Sequence, residues 1–304
     1  MNGLINVLKP PGMSSHDVVN RLRHLTGTKK VGHTGTLDPG AAGVLLTCCG
    51  KATRLIEYLN HNKKYRAEIT FGMSSSTGDS FGELIPGDIP EDFSMARLIG
   101  AIPGFTGDIS QVPPMTSAVR HQGKKLYQLA RAGKIVERQA RTVKIYSLEL
   151  ARWYQEPVRP RALLDISCSA GTYIRTLCQD IGEQIGCGAY MSFLLRTAVG
   201  DYALSSAYTL EELDGMSREG RLQEALISVE KALSFMPAVQ LKEGACKPVC
   251  SGATLFPPGI KHAPEGIGEG GLAALEWEGR YVAVARASFD ERERLCFKPE
   301  KVIV

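Results

Sequence analysis

The stretch that most constrains this chain is Gly32-His33-Thr34-Gly35-Thr36-Leu37-Asp38-Pro39-Gly40-Ala41-Ala42-Gly43. Four glycines, a proline and a single large apolar residue, Leu37, cannot sustain a regular helix. Glycine admits positive φ and close backbone approach, and Pro39 drives Asp38 out of the helical region. The apolar run Val44-Leu45-Leu46-Thr47-Cys48-Cys49 that follows reads as a buried strand. One carboxylate, Asp38, is therefore carried on a backbone-dominated loop anchored to a rigid strand, with His33 and Thr34 beside it. Loops fixed on such scaffolds often carry chemistry. The plainer alternative is a turn in which Asp38 bonds its own backbone.

The rest of the chain alternates helices and strands. Leu4–Leu8 is a short strand stopped by Lys9-Pro10-Pro11-Gly12, and Ser14 or Ser15 caps a helix closed by Thr26-Gly27. Lys51–Asn60 reads as a helix. From 64 to 71, Tyr65, Ala67, Ile69 and Phe71 alternate with Lys64, Arg66, Glu68 and Thr70, the pattern of a half-buried antiparallel strand. Loop-rich sequence to residue 90 leads to a helix over 93–102, and the prolines keep 111–118 extended. A turn at 121–124 and a short basic helix over 125–132 precede strands at 142–154 and 161–168. Thr172 caps a helix ending at Gly186, a strand runs over 190–199, and weaker helices over 209–214 and 218–234 lead to Pro237. Beyond it, short strands between glycine- and proline-rich turns form a compact β-rich module. The expected division is residues 1–236 and 237–304, with a basic insertion at about 118–145.

That insertion carries most of the charge information. From Arg120 to Arg152 there are nine Lys or Arg against Glu137 and Glu149, a surplus of seven in a chain whose net charge is only +4. A polyanionic partner is the natural reading of such a patch. Other chemistries are excluded. Gly50-Lys51-Ala52 lacks the Ser or Thr and the first glycine of a nucleotide-phosphate loop. Cys246 and Cys250 have no second ligand pair for zinc, and no Gly-x-Ser-x-Gly elbow occurs. No apolar run reaches the roughly 18 residues of a membrane span. The N-terminus is no signal peptide, so the eight cysteines read as reduced thiols and a cytoplasmic protein is expected.

The central loop resembles the signature of the TruB family of tRNA pseudouridine synthases. Four further blocks fall in that family's order: Lys9-Pro10-Pro11-Gly12-Met13-Ser14-Ser15; Lys64-Tyr65-Arg66; Val112–Ala118 with Gly123-Lys124-Lys125-Leu126-Tyr127; and Gly171-Thr172-Tyr173-Ile174-Arg175. The likeness spans about residues 1 to 235, and the tail resembles a PUA-type RNA-binding domain. Departures are Gly40, where the family has a larger apolar residue, Leu194-Leu195-Arg196, where it usually has Leu-Arg-Arg, and Ser74–Asp79, which keeps only the Thr and Asp of its block.

The resemblance implies an α+β pseudouridine synthase fold, a mixed, mostly antiparallel central sheet flanked by helices, followed by the small PUA-like domain. It implies that Asp38 is the nucleophile, that Arg175 pairs with it, and that Tyr65 stacks on the target base or takes part in proton transfer. Tyr173 and Leu194 would line the uridine pocket, and His33 would fill the space in the RNA loop that the flipped base vacates. Lys9, Arg120, Lys124, Lys125, Arg131, Arg141 and Arg196 are the candidate RNA-backbone contacts. The substrate implied is uridine 55 in the T-loop of tRNA, held by a monomer without metal, cofactor, guide RNA, membrane or obligatory protein partner. Attack at C6, attack at C1′ and sugar-proton abstraction all remain open. Two alternatives stand beside this: an RNA-guided subunit of the dyskerin kind, and a tRNA-folding chaperone with incidental catalysis.

Overall fold

The computed structural model describes residues 1–156 and 159–303. The chain opens with β1 (Gly3–Lys9), α1 (Ser15–Thr26), β2 (Val31–His33) and β3 (Ala42–Cys49). Next come β4 (Lys63–Phe71), the small hairpin β5 (Met73–Ser75) and β6 (Leu84–Pro86), α2 (Met95–Ala101) and β7 (Gly107–Gln111). The basic insertion contributes β8 (Arg120–His121), β9 (Lys124–Lys125) and α3 (Leu126–Arg131). The long strands β10 (Arg141–Tyr154) and β11 (Arg161–Cys168), then α4 (Ile174–Ile185), β12 (Ala189–Val199) and β13 (Tyr202–Ala203), complete the larger part.

These strands form one sheet in the order β1-β3-β12-β4-β11-β10-β7, with β2 added to β3 and β13 to β12. All its pairings are antiparallel except β3 with β12, which run parallel over two residue pairs, Leu195 with Ala42 and Arg196 with Gly43. The sheet is therefore mixed and mostly antiparallel. At its centre β4 and β12 lie side by side, with Tyr65 opposite Arg196 and Ala67 opposite Leu194. Tyr65, Ala67, Ile69 and Phe71 point into a core that also takes Leu177, Ile181 and Ile185 of α4. The period-two pattern of β4 and the 3.6-residue stripe of α4 thus meet on one face.

Local chemistry explains the boundaries. Ser14 caps α1 in a reciprocal box with Asp17, and Gly27 closes it at φ 62°. Gln122 and Gly123, at φ 48° and 81°, make the two-residue turn between β8 and β9. Three expectations differ from what is seen. Gly50–Tyr58 winds as a tighter helix with three residues per turn, in which the Thr53 hydroxyl bonds the Gly50 carbonyl. The helix expected over 218–234 breaks into Leu222–Ala225 and Val229–Ala232, since Gly220 turns at φ 70° and Ser228 starts a new cap. Thr172 does not cap α4; its hydroxyl bonds the Ser169 carbonyl, and the Gln111 side chain holds both the N–H and the carbonyl of Tyr173.

A second sheet, in five strands, closes the chain: β14 (Ala238–Leu241), β15 (Ile260–His262), β16 (Leu272–Trp277), β17 (Arg280–Phe289) and β18 (Leu295–Val302), ordered β15-β14-β16-β17-β18. The helix Glu243–Cys250 covers it, with Pro248 in its last turn. Ala274, Val284 and Ile303 pack into the same apolar cluster as Leu46, Ala52 and Leu55 of the larger part. Tyr58 donates to Glu300 at 2.9 Å, and Lys301 pairs with Glu57 at 2.9 Å across the same seam.

Candidate active site

The glycine-rich stretch is a loop between β2 and β3 whose backbone is held from outside. A loop without regular structure must find partners for its buried carbonyls elsewhere. Arg196, fully buried on β12, serves two of them, Nη1 donating to the Thr36 carbonyl at 3.2 Å and Nη2 to that of Gly35 at 3.1 Å, while its Nε donates to the Val44 carbonyl of β3 at 2.7 Å. Lys9, equally buried, donates from Nζ to the carbonyls of Pro10, Met13 and Pro39. The Ser15 hydroxyl donates to the Leu37 carbonyl and accepts from the Leu37 N–H. Gly43 turns at φ 120°, and its missing Cβ would lie 2.2 Å from the Arg196 carbonyl oxygen. Only glycine allows β3 to run that close to β12.

On this clamped loop Asp38 keeps a third of its side chain open, while Arg175 in the first turn of α4 is almost covered. Their contact is two-pronged, Nε to Oδ2 at 3.0 Å and Nη2 to Oδ1 at 3.3 Å. The remaining donors of the guanidinium go to the Thr77 carbonyl, the Thr116 hydroxyl and the Thr116 carbonyl. Asp79 Oδ2 stands 3.7 Å from Nη1. Five donors in a rigid fork are thus all engaged, which fixes the one face turned to Asp38. Burial raises the Asp38 carboxyl above its ordinary range; Arg175 opposes the rise, Asp79 adds to it, and Arg196 and Lys9 oppose it further. The balance is a carboxylate whose negative form is costly and depends on neighbouring cations.

Tyr65 and Leu194, each 6% exposed, share one apolar cluster with Leu37 of the loop. Burial pushes the Tyr65 hydroxyl up to about 12, so it carries its proton at neutral pH. Tyr173 precedes α4 by one residue and is half-buried. His33 accepts from the Gly35 N–H through Nδ1 at 3.2 Å, and burial lowers its pKa, so the ring is neutral with its proton on Nε2.

Two of the seven backbone candidates are elsewhere. Lys9 and Arg196 have no exposed surface with which to meet a phosphate; their donors serve backbone carbonyls. Burial, with Arg196 nearby, brings the Lys9 ammonium down to about 8. Lys63 behaves alike: buried, lowered to about 8 and donating to the His61 carbonyl. Arg120, Lys124, Arg131 and Arg141 are exposed and Lys125 half-exposed. Among the described residues none of the five has a carboxylate within ion-pair distance. Lys125 and Arg131 both lie 5.6 Å from the Tyr127 ring.

Sequence reasoning assigned no role to Asp79, Thr77 or Thr116, which surround Arg175. The signal was present for two of them, since Thr77 and Asp79 are what remains of their block. Among the described residues no group of three or more His, Cys, Asp or Glu could hold a metal ion. No helix among them is long and apolar enough to cross a membrane.

Residues 23–174 match the family model of the TruB family pseudouridylate synthase N-terminal domain. Residues 175–234 match the tRNA pseudouridylate synthase B C-terminal domain, and 237–298 the PUA domain. The chain is 50% identical to the tRNA pseudouridine synthase B of Pelotomaculum thermopropionicum, covering 100% of this chain and 97% of that one. It is 44% identical to that of Moorella thermoacetica, over 99% of each. Among solved structures it resembles a chain of a Cbf5-Nop10-Gar1 complex (TM-score 0.73, 32% identity, 99% of this chain and 85% of that one). It also resembles a chain of an H/ACA ribonucleoprotein bound to a substrate RNA containing 2′-deoxyuridine (TM-score 0.72, 30% identity, the same coverage).

Proposed function

Because the chain belongs to the TruB family of pseudouridylate synthases, we propose that it isomerises uridine 55 in the T-loop of tRNA, with Asp38 as the nucleophile. The broader activity, turning uridine into pseudouridine in tRNA, follows from membership. The observation that carries it is the two-pronged Arg175–Asp38 pair, in which a covered guanidinium faces a carboxylate left partly open.

The reaction breaks the N1–C1′ bond, turns the base and joins C5 to C1′, while the proton on C5 leaves and N1 gains one. It requires no oxidant and no energy source. An ionised Asp38 attacks C6 or C1′, or removes a sugar proton; in each case it must hold its charge away from water, and Arg175 stabilises that charge. The base has to leave its stack to reach Asp38, and Tyr65, Leu194 and Tyr173 form the walls that receive it. His33, neutral and beside the carboxylate's loop, suits the space the base leaves behind. The cations Arg120, Lys124, Lys125, Arg131 and Arg141 hold RNA phosphates, and residues 237–304 add a second RNA contact to the catalytic part, 1–236. On this reading the enzyme works in the cytoplasm as a monomer.

Release of tritium from tRNA labelled at C5 of uridine tests the activity with the isolated protein. The similarity to Cbf5 chains supports a guided alternative, in which the isolated chain would be silent without partner proteins and guide RNA. The basic insertion favours a stand-alone enzyme. A chaperone role is separable, since Asp38→Asn would abolish pseudouridine and leave it intact.

A further inference from the structure

Phe81 sits in the turn between β5 and β6, and 77% of it is exposed. A single exposed apolar residue is ordinary on a protein surface. What distinguishes Phe81 is its place. Its ring lies on Gly40, two residues beyond Asp38, so closely that a Cβ there would fall 2.1 Å from a ring carbon. Gly40 leaves room for the ring, and the ring supplies the apolar surface that residue 40 lacks.

The turn that presents it is tied to the catalytic pair. Asp79 Oδ1 accepts from the Phe81 N–H at 3.1 Å and from the Thr77 hydroxyl at 2.6 Å, while Asp79 Oδ2 faces Arg175. Ser75 closes the same turn by donating to the Asp79 carbonyl. One carboxylate therefore holds the backbone of Phe81 by a hydrogen bond and lies 3.7 Å from the guanidinium that meets Asp38. Packing on Gly40 hides only a small part of the ring and leaves most of it in water, against the loop that carries Asp38.

Resting on the reading above, we propose that Phe81 is a stacking platform for an unpaired nucleobase next to the target uridine. It would take up a neighbour whose own stacking partner has swung toward Asp38. Any base has a π-face, so the platform selects for an unpaired, splayed RNA loop and not for one base identity. The pair of Gly40 and Phe81 makes this a feature of this chain's own residues.

The test uses the full-length protein and a T-arm RNA hairpin. Phe81→Ala is expected to raise KM roughly tenfold, within the range found for removing one base–aromatic stack, with a much smaller fall in kcat. Phe81→Trp should restore KM, and Phe81→Leu, apolar but without an aromatic face, should resemble Phe81→Ala. A second readout places 2-aminopurine at either neighbour of the target. At one of the two positions the wild-type protein and Phe81→Trp should quench it, and Phe81→Leu should not. Wild-type KM in Phe81→Ala or Phe81→Leu, or identical quenching by all variants, overturns the proposal. A wild-type protein that forms no pseudouridine on the hairpin would instead remove the functional reading, and this inference with it.

Discussion

The guanidinium of Arg175 and the carboxylate of Asp38 meet through two parallel contacts, 3.0 and 3.3 Å long, between the first turn of a helix and a glycine-built loop. Lysine offers one point charge where arginine offers a planar fork, and it cannot also bond Thr77 and Thr116. Arg175→Lys and Arg175→Met are therefore expected to lower kcat by two or more orders of magnitude, with tRNA affinity within about threefold of wild type. Single-turnover kinetics beside filter binding checks this. Parallel loss of affinity and rate would make Arg175 an RNA contact instead.

The pH dependence should have two limbs. Asp38 acts ionised, and burial has raised its pKa, so kcat/KM should fall on the acid side through a pKa above the ordinary carboxylate range. On the alkaline side Lys9 titrates near 8; without its third proton it can no longer serve three carbonyls, Pro39 among them. Activity is expected to decline as pH rises through about 8. Stability should move the other way. The folded pKa of Lys9 lies below the unfolded one, so between the two values the unfolded chain binds more protons, and Lys9's contribution to stability rises with pH. Urea titrations of wild type and Lys9→Met, from pH 7 to 10, read that difference.

Gly43 and Gly40 should respond oppositely to alanine. At Gly43 the methyl would enter the backbone of Arg196 at a left-handed φ, and neither strand can yield. Gly43→Ala is expected to cost about 2–4 kcal/mol. At Gly40 the obstacle is the end of an exposed ring that can swing aside, so Gly40→Ala should stay within about 0.5 kcal/mol of wild type. Thermal melts of the two variants decide it.

Binding should weaken steeply with salt if the exposed insertion grips phosphates. Removing Arg131 or Lys124 by alanine should reduce the slope of log K against log salt by about 0.7–0.9 for each phosphate left without its cation. Arg196→Ala, by contrast, should disturb the loop and leave that slope unchanged. A slope near zero in the wild type would discard the insertion as the main grip on the RNA.

How much of this was legible depended on range. The loop could be read because glycine and proline act locally, and β4 because its alternation is a two-residue pattern. Lys9 and Arg196 were misplaced for a physical reason. A cation that binds phosphate and one that binds buried carbonyls look alike in sequence, and only burial separates them. Thr116 reaches Arg175 from a loop 59 positions away, and nothing local in that segment announces the meeting. The helix Glu243–Cys250 escaped notice because Pro248 reads as a stop, although it stands in the final turn.

The most direct test of the account is pseudouridine mapping on a bare T-arm transcript incubated with the isolated wild-type protein or with Asp38→Asn. The account expects one modified position, uridine 55, with the wild type and none with the variant, at equal RNA binding. Pseudouridine formed by Asp38→Asn, or modification by the wild type only in the presence of a guide RNA, would contradict it.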